Sequence, residues 1–218
     1  MKTNQDYKNA ALDRLRGNWA PAIVASLIFI LVAMLCSGNR FLQAALHVSP
    51  GAAFALAGAT SLLTFFVLVP LQVGYYNAIR QMYERRDYDV TGNMIRLSLS
   101  NYLHKVGGMF LMTVKVMLWM CLFIIPGFIM ALAYAMTPYI LEEHPEIGIW
   151  EASTRSREMM RGHKFDLFYL ELSFIGWVLL GALTCGIGML WVSPYMSAAL
   201  AAFYNDLKAE QGEAAVIG

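Results

Sequence analysis

The chain has 218 residues, of which 58% are hydrophobic and only 14% are charged, well outside the usual balance of a soluble globular protein. Its 16 basic residues nearly match its 15 acidic ones, and no basic stripe carries interleaved aromatic residues, so we expect no nucleic acid partner. The composition instead favours an all-α polytopic membrane bundle. We predict a single membrane domain over residues 1–208 and a flexible cytoplasmic tail over residues 209–218.

Long apolar runs follow one another along the chain and are candidates for transmembrane helices, because about 20 helical residues cross a hydrocarbon core of about 30 Å. These runs are Ala20 to Leu35, Ala52 to Val73, Met109 to Leu141, Leu172 to Leu183 and Ile187 to Phe203. One helix from Val106 to Leu141 would be about 54 Å long, which is too long for a single crossing. We therefore predict an outer-face turn at Pro126 and Gly127, and six transmembrane helices in three hairpins.

A polar amphipathic stretch precedes each predicted hairpin. The three stretches are "NQDYKNAALDRLR", "NMIRLSLSNYLHK" and "IGIWEASTRSREMMR". In the first, Tyr7, Ala11 and Leu15 recur every four residues, as on one face of a helix. We predict amphipathic interfacial helices on the cytoplasmic face. The three units are either copies of one architecture or three ordinary hairpins.

The basic residues indicate how the chain is oriented in the membrane. With six spans, every basic residue except Arg40 and Lys115 falls on one side, together with both termini. With five spans, the segment from Arg155 to Lys164 would be translocated. The positive-inside rule therefore favours six spans with cytoplasmic N- and C-termini.

Two charged residues lie inside the predicted spans. Lys115 is about 14 Å deep in the third span, where a charge costs roughly 2.5 to 3.5 kcal/mol, and Glu171 is about 9 Å deep in the fifth. One hypothesis is an ion pair between Lys115 and Glu171 that fixes the register of the helices. The alternatives are two residues that snorkel independently, or a functional site such as a proton-sensitive switch or a headgroup receptor.

Motifs for catalysis are missing from the sequence. It contains no GxxxxGK[ST] loop, no GxSxG elbow and no HExxH pair, so we predict no enzyme, no cofactor and no metal site. The acidic stretch "EEHPE" at residues 142–146 is interpreted as a solvated helix end.

Several stretches, in order, resemble a bacterial integral-membrane family called domain of unknown function number nine hundred and seventy-five. They are "RGNWA" (16–20), "IIPGFIM" (124–130), "YAMTPYILEE" (134–143), "SREMMRGHKFDLF" (156–168), "LSFIGW" (172–177), "TCGIG" (184–188) and "SPYMSAALAAFY" (193–204). The family is more distantly similar to the membrane domains of glycerophosphodiester phosphodiesterases. The resemblance implies a multi-pass protein of the bacterial plasma (inner) membrane and no assigned activity. The segment from Ser37 to Thr64 departs from the family pattern.

Two functions are compatible with these features. The first is a non-enzymatic membrane module, active in envelope maintenance, that binds anionic lipid headgroups, a membrane protein partner or a second copy of itself. Its predicted headgroup patch consists of Arg155, Arg157, Arg161, His163 and Lys164. The alternative is a small-solute transporter or channel with Lys115 and Glu171 along the path. The same basic residues could also do no more than set the topology.

Overall fold

A computed structural model describes residues 3–37, 50–85, 88–122, 124–184 and 186–217. Within these ranges the chain forms helices and no strand, which confirms the all-α prediction. The helices are α1 (Asn4–Leu15), α2 (Trp19–Ser37), α3 (Pro50–Arg85), α4 (Val90–Leu99), α5 (Tyr102–Leu122), α6 (Ile124–Ala133), α7 (Thr137–Glu143), α8 (Ile149–Met159), α9 (Lys164–Leu172), α10 (Ile175–Leu183) and α11 (Met189–Ile217).

Local sequence explains how the short helices α1 and α4 begin. Thr3 and Asp6 form a capping box at the start of α1, in which each side chain accepts a hydrogen bond from the other residue's backbone N–H. Asp89 caps α4 by accepting a hydrogen bond from the backbone N–H of Gly92. The predicted helical face of α1 is confirmed, since Tyr7, Ala11 and Leu15 are all buried.

Four helical stretches of the described residues are long and apolar enough to cross a membrane. They are Trp19–Cys36, Ala55–Arg85, Ile125–Glu143 and Lys164–Leu183. The remaining predicted spans coincide with α5 and α11, which are helical but are not among these four. The chain is therefore an all-helical protein with four candidate spans, and the count of six stays a prediction.

The predicted turn at Pro126 and Gly127 is corrected, because both residues lie inside α6. α5 ends at Leu122 and α6 begins at Ile124, so Pro126 and Gly127 belong to the first turn of a helix and not to a turn between helices. Proline is tolerated in the first turn of a helix, where backbone N–H groups have no partner within the helix. A Cβ on Gly127 would lie 2.7 Å from the Cα of Met120 on α5. This glycine therefore permits close packing of the hairpin limbs instead of forming the turn.

The short helices connect the hairpins in a cyclic pattern. α4 packs on α2 and α3, which form the hairpin before it, and α8 likewise packs on α5 and α7. α1 closes the cycle by packing on α9 and α11 from the end of the chain. Each of the three units thus places its leading helix against both limbs of another unit's hairpin. Whether the three units are copies of one architecture or three ordinary hairpins stays a prediction.

The helix α4 buries two polar residues beside apolar ones and exposes two large apolar residues. Asn93 and Ser98 are buried against the rest of the bundle, whereas Ile95 and Leu99 are exposed. Gly74 of α3 allows the close approach, because a Cβ there would lie 2.5 Å from the carbonyl oxygen of Met94. An exposed apolar face on a packed helix suits contact with lipid. An interfacial position for α1, α4 and α8 stays a prediction.

The C-terminal helix is longer than the predicted sixth span. α11 runs from Met189 to Ile217 and so continues through most of the predicted tail over residues 209–218. Leu207 is still buried in the bundle, whereas the side chains of residues 209–212 are exposed.

Candidate functional site

One charged network joins the returning limbs of all three hairpins. Glu143 of α7 accepts a hydrogen bond from the hydroxyl of Tyr204 on α11, with an O–O distance of 2.6 Å. Arg80 of α3 reaches the same carboxylate at 3.2 Å, and Lys208 of α11 contacts its other oxygen. Arg80 also lies 3.6 Å from Glu84, one turn further along α3. The network therefore ties α3, α7 and α11 together at one end of the bundle.

An aromatic stack continues from this network into the bundle. The rings of Tyr139 and Tyr204 are stacked with centroids 5.0 Å apart, and the ring of Tyr76 lies 6.3 Å from that of Tyr139. These three tyrosines again come from α7, α11 and α3. Aromatic pairs at such distances add to the energy of simple apolar burial.

A second ion pair lies beside the network and is more deeply buried. The side chain of Lys105, at the start of α5, is 0% exposed and pairs with Glu142 of α7. Its ammonium group also donates to the carbonyl oxygen of Leu97 and, at 2.9 Å, to the hydroxyl of Ser100. The buried charge is thus compensated by one carboxylate and two further oxygens, as a buried ammonium requires.

The interpretation of "EEHPE" as a solvated helix end is wrong for its first two residues. Glu142 and Glu143 bind Lys105 and Arg80, and only the last part of the stretch is exposed. There the backbone N–H of Glu146, and then the His144 side chain, hold the pKa of the Glu146 carboxyl below its usual value. The available signal was the position of Lys105 and Arg80 at the ends of apolar runs, but such residues also serve as ordinary topology determinants.

A polar cavity of about 380 Å³ opens beside the charged network. Its walls include Tyr204 and Lys208 from the network, together with Arg155 and Glu158 of α8. Arg155 is already paired with Glu151 at 2.8 Å, and Lys208 is paired with Glu143. The cations around this cavity are therefore largely neutralised by neighbouring carboxylates.

Lys115 and Glu171 are not brought together, so the predicted ion pair is corrected. Among the described residues, the ion pairs include neither side chain. Lys115 donates instead to the hydroxyl of Ser153 on α8 at 2.6 Å. Its ammonium group also lies 4.0 Å from the ring centroid of Trp150 and 5.4 Å from that of Tyr134. The ion-pair hypothesis placed α5 beside α9, because Lys115 and Glu171 were predicted at similar depths in their spans. In the structure α5 packs on α8 instead.

Glu171 lies at a different place, in a mainly apolar groove of about 430 Å³. The groove is formed by α2, α9, α10 and α11, and Ser193 and Ser197 are among its few polar lining groups. Lys115 is not one of its lining residues. The two residues that the transport hypothesis places on one path therefore do not share this groove.

The predicted headgroup patch divides into paired and unpaired cations. Arg155 binds Glu151, and His163 lies 3.3 Å from Asp166 and 3.6 Å from Glu210. The remaining members are Arg157, Arg161 and Lys164. In the described part of the chain their side chains make no hydrogen bond or ion pair. Arg155 and Arg157 are two residues apart on α8 and so point to different sides of the helix.

The fold and these sites define a class, an all-helical protein whose apolar helices are compatible with a membrane. A family match covers residues 61–211, and the family is described as protein of unknown function (DUF975). The chain belongs to this family, as the resemblance in its sequence indicates. No curated protein and no solved structure matches the chain. The distant similarity to glycerophosphodiester phosphodiesterase membrane domains stays a prediction.

Proposed function

We propose that the protein is a non-enzymatic module of the bacterial plasma membrane that binds anionic lipid headgroups through the segment from α8 to α9. The proposal rests on the exposure of Arg157 and Arg161 and on their lack of an acidic partner among the described residues. Both side chains are exposed, and neither meets a carboxylate among the described residues. Near an anionic membrane surface, each such cation contributes roughly 1 kcal/mol of attraction.

Exposed aromatic residues flank these two arginines. Trp150 of α8 is 66% exposed, and Phe165 and Tyr169 of α9 are 70% and 56% exposed. Large aromatic side chains concentrate at the level of lipid headgroups, where one part of the ring system meets apolar chains and another meets water. Cations and aromatic anchors on one segment therefore favour contact with lipid over contact with water alone.

The proposal is tested by extracting the full-length protein from a bacterial membrane in mild detergent and identifying the retained lipids by mass spectrometry. We expect anionic lipids to be enriched over their share of the whole membrane. The variant R157Q/R161Q should lose most of this enrichment, and raising the salt concentration during washing should reduce it for the wild type.

A matched control removes two arginines that already have partners. Arg16 lies 3.5 Å from Asp13, and Arg14 lies over the ring of Tyr83 at 5.5 Å. We expect R14Q/R16Q to retain the wild-type lipids. Retained lipids that match the bulk membrane in composition would contradict the proposed function.

A further inference from the structure

We infer that Lys115, Ser153 and Arg157 form a specific binding site for the phosphate group of an anionic lipid at the place where α5 packs on α8, which is called the cleft below. This inference rests on the proposed function and deepens it, because it assigns the headgroup to one cleft instead of to a diffuse basic surface. The headgroup patch predicted from the sequence does not include Lys115 or Ser153.

The cleft brings two cations together. Trp150, Ser153 and Arg157 are spaced three and four residues apart, so they share one face of α8. Lys115 of α5 meets this face through its 2.6 Å hydrogen bond to Ser153 and its contact with the Trp150 ring. Arg157 follows Ser153 by one helical turn on this face, so its side chain is a near neighbour of the Lys115 ammonium group.

The two cations have no neutralising partner in the described part of the chain. The ion pairs there include neither Lys115 nor Arg157, whereas the cations that are buried in the described bundle, Lys105 and Arg80, each have a carboxylate. Only one of the three ammonium donors of Lys115 is used, and the five guanidinium donors of Arg157 meet no described acceptor. An anion with several acceptor oxygens would satisfy these donors.

The surroundings favour a lipid as the source of that anion. Leu118, three residues after Lys115 on the same side of α5, is 61% exposed, and the ring of Trp150 lies against the Lys115 ammonium group from α8. Acyl chains fit this apolar surface, and the phosphate then lies at the level of the tryptophan. A choline group would add a positive charge next to Lys115 and Arg157, whereas the glycerol headgroup of phosphatidylglycerol adds none. The site should therefore prefer phosphatidylglycerol to zwitterionic phosphatidylcholine.

The test is a titration of the delipidated, detergent-solubilised full-length protein with short-chain phosphatidylglycerol, followed by native mass spectrometry. We expect K115M and R157Q each to weaken binding about tenfold, because each removes a charge-assisted hydrogen bond to the same phosphate. K115R keeps the charge, so we expect its affinity for phosphatidylglycerol to lie within about threefold of the wild-type affinity. This result would also show that the position tolerates substitution.

The comparison variant is R161Q, because Arg161 is an exposed arginine of the same segment that lies outside the cleft. A specific cleft predicts a clearly smaller loss of affinity for R161Q than for R157Q, and an effect of K115M/R157Q that differs from the product of the single effects. If K115M, R157Q and R161Q lost equal amounts of affinity, and if these losses multiplied in the double variant, the cleft would be wrong while the proposed function would stand. No preference of the wild type for phosphatidylglycerol would remove both.

A competition experiment separates lipid phosphate from free phosphate. Excess inorganic phosphate should displace phosphatidylglycerol only weakly, because it cannot use the apolar wall of the cleft. If inorganic phosphate alone competes as well as the lipid does, the assignment to a lipid is wrong.

Discussion

Two lysines of α5, ten residues apart, show how differently the bundle treats a cation. Lys105 is fully enclosed and compensated by Glu142, the Leu97 carbonyl and the Ser100 hydroxyl. Lys115 is half-buried, has a hydroxyl and aromatic rings as neighbours, and faces Arg157 without a carboxylate among the described residues. A compensated charge is part of the folded scaffold, whereas an uncompensated one remains available to a ligand. The two lysines differ in their interaction partners, and the position of a lysine along its helix does not predict those partners.

The largest effect is expected when the buried pair is broken. Lys105→Met leaves Glu142 without its cation, so the free energy of unfolding should fall by about 3–5 kcal/mol, measured by denaturation in detergent. The double variant K105M/E142Q should recover part of this loss, because no unpaired charge then remains. A wild-type unfolding midpoint for K105M would show that the pair does not stabilise the bundle.

The enclosure of Lys105 also depends on α4, which supplies the Leu97 carbonyl. In Gly74→Ala the new Cβ would lie 2.1 Å from the Ser98 hydroxyl oxygen and 2.5 Å from the Met94 carbonyl oxygen, so α4 must shift. We expect a loss of about 1–3 kcal/mol in the free energy of unfolding. Gly58→Ala on the same helix meets nothing within 4 Å and should be neutral or slightly stabilising. Equal effects of the two variants would contradict close packing of α4 on α3.

Removing one hydroxyl from the charged network should have an intermediate effect. Tyr204→Phe deletes the 2.6 Å hydrogen bond to Glu143 but leaves the carboxylate paired with Arg80 and Lys208. We expect a loss of about 1–2 kcal/mol, since hydrogen bonds to charged groups are worth more than neutral ones. Tyr195→Phe, whose hydroxyl is not part of this network, serves as the control. A loss for Y204F no greater than that for Y195F would argue against the network as a link between hairpins.

The smallest effect on stability is expected at Lys115. Lys115→Met removes one hydrogen bond and two cation–π contacts at a half-buried site but leaves no buried carboxylate unpaired. The free energy of unfolding of the lipid-free protein should therefore fall by less than about 1 kcal/mol. Thermal unfolding of K105M and K115M, side by side in the same detergent, makes the comparison direct. A loss at Lys115 as large as that at Lys105 would mean that Lys115 is structural and would argue against an available cation.

The sequence predicted the roles of residues that depend on one helix alone. It did not predict the roles of residues that depend on contacts between helices. The buried face of α1 followed from residue spacing alone. The reversal near residue 126 was expected for the right reason, an apolar run too long for one crossing, but was placed on Pro126 and Gly127, which lie inside α6. Proline and glycine suit both a tight turn and the first turn of a closely packed helix, so their presence does not separate the two.

The sequence by itself determined that the chain is helical and apolar enough for membrane spans, because the hydrophobicity of a run and the period of a helix are local properties. Only the tertiary structure decided which charges meet, joining Arg80 to Glu143 across 63 residues and Lys115 to Ser153 across 38. Those pairings depend on which hairpins are neighbours and on which face each helix presents to the next. Cyclic packing of the short helices sets both, and no local pattern in the chain encodes it.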